Sequence, residues 1–144
     1  MKKPRILFIC VHNSGRSQIA QAYLKKIVGN HYDVESAGLE PAHEINSLVV
    51  EVMKEEGIDI SKNKIQSVFE LFKTGKLYDH VVTVCDGAAE AKCPVFAGIT
   101  KRWNWPFPDP AAVVGGDAEK LQKVREIRDM IKEKLIDSVE AGFN

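Results

Sequence analysis

Ile6-Leu7-Phe8-Ile9-Cys10 runs straight into Val11-His12-Asn13-Ser14-Gly15-Arg16-Ser17-Gln18. An apolar, strand-prone run stops at a cysteine, five residues lead to an arginine, and a helical apolar pattern starts at Ser17. The segment reads as a buried parallel strand, a tight loop and a helix N-terminus. The backbone N–H groups of Val11, His12, Asn13, Ser14 and Gly15 can turn inward to form an oxyanion-binding concavity, and the helix start adds partial positive charge. Arg16 adds a planar fork that fits two oxygens of a tetrahedral oxyanion. The same field acts on Cys10, which is expected to be a thiolate near neutral pH. Ser17 is placed to donate a hydrogen bond to that sulfur and to cap the helix. These features predict a nucleophilic cysteine beneath a bound oxyanion. The competing reading is a buried structural cysteine near a surface arginine. The loop residues and the flanking strand and helix favour the chemical reading.

Outward from this stretch, Ile19, Ala20, Tyr23, Leu24 and Ile27 recur at helical spacing up to Val28, and Gly29 ends the helix. His31 to Ala37 reads as a second strand closed by Gly38. Strand, helix and strand make a right-handed crossover in a parallel sheet. Glu44 to Gly57 reads as a helix with Ile45, Leu48, Val49, Val52 and Met53 on its apolar face. Ile58 to Ser61 is an extended link, and Val68 to Phe72 a short helical turn. His80 to Cys85 is another apolar run that ends in cysteine, which puts a second thiol at a strand end. Asp86 to Lys92 is alanine-rich and reads as short helix or loop, and Gly98 to Trp105 reads as a last, short strand. Pro106 to Pro110 is a stiff loop. Asp117 is expected to cap a final helix to about Glu140, with Leu121, Val124, Ile127, Ile131, Leu135 and Val139 on one face. Residues 1–144 are expected to form a single domain, a three-layer α/β/α sandwich around a four-stranded parallel sheet.

Lysine plus arginine equals aspartate plus glutamate, 20 each, so neither nucleic acid nor an anionic membrane is an expected partner. The apolar runs are too short to span a bilayer, and the chain starts without a signal-peptide pattern, which predicts a cytoplasmic protein. Three cysteines argue against a static disulfide framework. Cys85 and Cys93 lack the four closely paired ligands of a structural zinc site, so no metal is expected. They read either as ordinary buried thiols or as a redox pair that could reach bonding distance after a local rearrangement, passing oxidation from Cys10 to Cys85 to Cys93. Asp109, between two prolines and after Trp103, Trp105 and Phe107, is a candidate general acid if desolvation raises its pKa. The other reading is a turn aspartate. The run Trp103 to Phe107 itself is read as local packing.

Cys10 to Gln18, Ser36-Ala37-Gly38, Gly57 to Ser61, Val84-Cys85, Cys93-Pro94 and Asp109-Pro110 together resemble the arsenate reductases built on the low-molecular-weight protein tyrosine phosphatase fold. The resemblance covers most of the chain, with the motifs in family order. It implies a cytoplasmic, generally monomeric detoxification enzyme that takes arsenate as substrate, with phosphate or sulfate as competing anions. It also implies regeneration by reduced thioredoxin, with no tightly bound cofactor. By the resemblance, Cys10 is the nucleophile, Asn13 helps hold the loop, Arg16 binds the oxyanion, Ser17 stabilises the thiolate, and Asp109 protonates the leaving hydroxyl. Cys85 then attacks the Cys10–arsenic adduct, and Cys93 takes over the resulting disulfide. Gly15 stands where the family often has another cysteine. Gln21 stands where some members have a glutamate linked to a potassium site, which weakens the expectation of potassium.

The rival is a phosphatase on the same fold, which needs only Cys10, Arg16 and an acid. Thiols cannot reduce phosphate, whereas arsenate reduction needs an electron pair that two further cysteines can pass on. Ala111-Ala112 after Asp109-Pro110 also departs from the tyrosines of such phosphatases. A third reading, a non-catalytic anion-binding or redox-sensing module, would keep the loop without requiring Asp109.

Overall fold

Alternation within β1 (Arg5–Cys10) divides the interior in two. The computed structural model describes residues 3–98 and 100–142. In it β1 lies between β2 (Asp33–Gly38) and β3 (His80–Thr83), and β4 (Lys101–Asn104) follows β3. All neighbours are parallel, in the order β2-β1-β3-β4. Ile6, Phe8 and Cys10 pack on one side with α1 (Arg16–Val28), α2 (Ser47–Lys54) and α5 (Asp117–Glu140). Leu7 and Ile9 pack on the other with Val68 of α3 (Val68–Lys73), Val81, Cys93 and Phe96. Ile6, Leu7, Phe8 and Ile9 are wholly buried, and each contributes on the order of 2 kcal/mol relative to exposure.

The chain leaves β1 for β2, then crosses back to β3 on the other flank. This reversal lies at the carboxyl ends of β1 and β3, the position where open α/β sheets bind ligands. Cys10 ends the first strand. Cys85 follows the second, just past Val84, whose N–H donates to the Ile9 carbonyl at 2.8 Å.

Several boundaries differ from the sequence expectation, each for a local reason. His31 lies in a 3-10 turn, so β2 opens only at Asp33, where the Pro4 carbonyl accepts its N–H. Glu44 lies before α2, because Asn46 accepts from Leu48 and Val49 and fixes the helix start. β3 stops at Thr83, short of Cys85, and β4 covers only Lys101–Asn104, with Ile99 outside the described residues. Asp117 is the first residue of α5 and not its cap; with Glu119 it puts negative charge in the first turn. Ile27 is 39% exposed, and Val28 fills the core in its place. Asp86 to Lys92 contains one helical turn, α4 (Gly87–Glu90). Trp105 is buried and its ring lies 6.3 Å from that of Phe8, so this aromatic packs locally as read. Among the described residues no helix is long and apolar enough to cross a membrane.

Candidate active site

The loop after β1 turns its carbonyls outward. The carbonyls of Cys10, Val11, His12 and Ser14 accept the N–H groups of Leu39, Glu40, Ala42 and Asn46 at 2.7–3.1 Å. The Asn13 carbonyl accepts Gln18 Nε2 at 3.1 Å. In a trans peptide the next N–H points opposite to the carbonyl, and the described residues contain no cis bond. The N–H groups of Val11, His12, Asn13, Ser14 and Gly15 therefore face the inner side of the loop. Asn13 N demonstrates this by donating to Cys10 Sγ at 3.1 Å. Its φ of 54° is left-handed, a conformation that asparagine tolerates.

Ser17 does not cap α1. Gly15 occupies the cap position without a side-chain bond, and Ser17 Oγ lies 2.9 Å from Cys10 Sγ. Its orientation is set by a chain of donors. Gln66 N donates to Asn13 Oδ1 at 2.9 Å, which fixes the amide so that Asn13 Nδ2 donates to Ser17 Oγ at 2.7 Å. Ser17 keeps its proton free while its oxygen accepts from Asn13, so with the sulfur ionised both the Ser17 hydroxyl and the Asn13 N–H donate to Sγ. Asn13, Ser17 and Gln18 are all fully buried.

Gln18 was not singled out for a role in the sequence reading, nor was Gln66. The Gln18 amide bridges the Asn13 and Lys64 carbonyls and accepts Asn63 Nδ2 at 3.2 Å, tying the loop to residues 63–66. Beside it, Ser36 Oγ donates to Gln21 Oε1.

Arg16 is buried at the start of α1, and its Nη1 donates to the Phe107 carbonyl at 3.1 Å. Its Nη2 lies 3.8 Å from Asp109 Oδ2. The stiff proline loop thus places Asp109 beside Arg16. The desolvation expected to tune it is not met, because its side chain is 40% exposed and accepts the Ala111 N–H. His12 is exposed, and its Nδ1–H donates to the Glu40 carbonyl at 2.9 Å. A β-carbon on Gly15 would come 3.3 Å from Pro110 Cγ, which leaves little room there for any larger side chain.

All three cysteines are free and buried. Burial pushes the Cys85 thiol up to about 11, with Arg16 pulling it down and Cys10 pushing it up, so Cys85 sits in the field of the loop. Burial likewise raises Cys93 to about 11. Cys93 is not brought to the loop. It packs with Leu7, Ile9, Val81 and Phe96 on the α3 side of the sheet, away from Cys10. The segment between them is held by Asn104 Nδ2 on the Cys85 carbonyl and by Arg102–Glu90 at 3.0 Å.

Residues 5–141 match the family described as low molecular weight phosphotyrosine protein phosphatase. The arsenate reductase of Halalkalibacterium halodurans is 41% identical over 143 residues, covering 99% of each chain. The structure of the thioredoxin-dependent arsenate reductase of Corynebacterium glutamicum superposes with a TM-score of 0.75 at 32% identity. That match covers 96% of this chain, which spans 61% of the Corynebacterium chain. A structure of an arsenate reductase in its phosphate-binding state gives a TM-score of 0.71 at 25% identity, covering 96% of this chain and 98% of that one. The chain belongs to the low molecular weight phosphotyrosine protein phosphatase family, among its arsenate reductases.

Proposed function

We propose that this protein reduces arsenate to arsenite as a monomer in the cytoplasm, with reduced thioredoxin as electron donor. The observation that carries the reading is Cys85, a second buried thiol just past β3, next to Val84, whose N–H donates to the carbonyl of Ile9, the neighbour of Cys10. Phosphate ester hydrolysis has no use for it.

Arsenate binds in the ring of N–H groups from Val11 to Gly15, with Arg16 on two of its oxygens. The Cys10 thiolate attacks arsenic and an oxygen leaves as water, protonated by Asp109. Cys85 then attacks Cys10 Sγ. The sulfur–sulfur bond forms as the sulfur–arsenic bond breaks, and the electron pair stays on arsenic, which departs as arsenite. Cys93 next attacks Cys85, returning Cys10 as thiolate and leaving a Cys85–Cys93 disulfide for the reductant. The decisive experiment is arsenate-dependent NADPH oxidation with thioredoxin and its reductase, beside an aryl phosphate assay. Arsenate-driven oxidation with weak hydrolysis is expected. Efficient hydrolysis without oxidation would assign the site to phosphate esters.

A further inference from the structure

We propose that the apolar surface of Phe69, Phe72, Leu77 and Val95 is the docking face for the dithiol protein that returns electrons to Cys93. The inference rests on the reductase reading above. These side chains are 40%, 43%, 53% and 73% exposed, unusual for residues of their size and kind in one neighbourhood. They are continuous with the last thiol of the relay. The Phe72 ring meets Phe96 edge-on at 5.6 Å, and Phe96 meets Tyr78 in the same way at 5.2 Å. Phe96 and Tyr78 belong to the packed cluster that holds Cys93, 8% exposed. Val95 lies two residues from that cysteine, and Phe69 one helical turn before Phe72.

Size and charge indicate the occupant. Four half-exposed side chains present on the order of a few hundred Å², below the roughly 800 Å² per partner of a stable association and suited to a brief redox encounter. Around this face Lys73, Lys76 and Arg102 pair with Glu70, Glu35 and Glu90. Lys92, beside Cys93, and Lys101 have no acidic partner among the described residues. Lys92 therefore sets an unpaired positive charge next to the thiol, which favours a partner whose active dithiol sits in an apolar patch with an acidic border. One thiolate of that partner attacks Cys93 Sγ, the Cys93–Cys85 bond breaks, and Cys85 leaves with the electron pair and takes a proton from solvent. The partner's second thiol then attacks the mixed disulfide and releases Cys93, so that two electrons have passed and the partner is left as a disulfide.

The test uses the full chain carrying Val95→Glu with Leu77→Glu and, separately, Lys92→Glu. Arsenate reduction is driven in one arm by thioredoxin and its reductase and in the other by dithiothreitol. The double variant should raise KM for thioredoxin about tenfold, and Lys92→Glu several-fold, with dithiothreitol-driven rates within about twofold of the parent. An unchanged KM for thioredoxin in the double variant overturns the docking face. So does a concentration-dependent dimer in sedimentation that the double variant abolishes, since a second copy would then own the patch. A parent that dithiothreitol drives but thioredoxin does not overturns the partner alone. A parent idle with both loses the reductase reading itself.

Discussion

Gly38 lies so close beneath the loop that a β-carbon on it would stand 2.8 Å from the backbone nitrogen of Asn13. The same atom would stand 2.9 Å from the Val11 carbonyl oxygen, so two backbone segments close around this position. Gly38→Ala must push the loop away from β2. A cost of about 1–3 kcal/mol is expected, with Tm lower by about 5 °C. Phosphate protection of Cys10 against alkylation should weaken in parallel. A variant with parental melting and parental anion affinity would show that the loop yields freely here.

Ser17→Ala removes one of the two donors on Cys10 Sγ and leaves Asn13 Nδ2 without its acceptor. Iodoacetamide labelling of Cys10 near neutral pH should slow about tenfold, equivalent to the loss of one charge-assisted hydrogen bond. A labelling rate equal to the parent's would remove Ser17 from the mechanism.

Asp109→Asn keeps the turn, because the amide oxygen can still accept from Ala111, but it removes the proton. Turnover should fall about 100-fold or more while the affinity for phosphate changes little. Unchanged turnover would favour an anion-binding or sensing module over both enzyme readings.

Cys93→Ser should complete one turnover and stop. Mass spectrometry of the arrested protein should find Cys10 joined to Cys85, and added thioredoxin should not restore cycling. Sustained cycling would show that the electrons leave by another route.

Stability should depend on pH through the two buried thiols. Both have folded pKa values of about 11, raised from the ordinary 9.0 by burial. Their contribution is fully present below pH 9, and it is lost as pH climbs from about 9 to about 11, because the unfolded chain then releases protons that the folded one retains. Denaturant midpoints measured across that window should fall, and less so in a Cys85→Ala, Cys93→Ala variant when each is referred to its own value at pH 8.

The parts of this site that were readable in the sequence are those encoded locally. The apolar run before Cys10, the spacing to Arg16 and the prolines around Asp109 each specify their own backbone, so strand, loop and stiff turn follow from short stretches. The parts not readable depend on distant partners. Nothing near Asn13 announces that Gln66 will orient its amide, because that contact spans 53 residues of chain. Gln18 is only five residues from the carbonyl it holds, but its amide is fixed by Asn63 and Lys64, 45 and 46 residues away. Of the two roles expected of Ser17, the contact with the sulfur is found and the helix cap is not, because the sulfur and the Asn13 amide occupy its hydroxyl. The openness of Asp109 was hidden because exposure is set by the surface around a residue and not by its apolar neighbours in sequence.

The division of β1 into two packed sides has a further meaning. Cys10 and Cys93 belong to different compartments of the interior, with the sheet standing between them as a partition. In the proposed relay Cys85, just beyond the neighbouring strand, is the doorway. On that proposal a reductant at Cys93 works from the opposite face of the sheet to Cys10, apart from the oxyanion chemistry. The relay would then have a substrate side and an electron side, with traffic between them passing through a single sulfur.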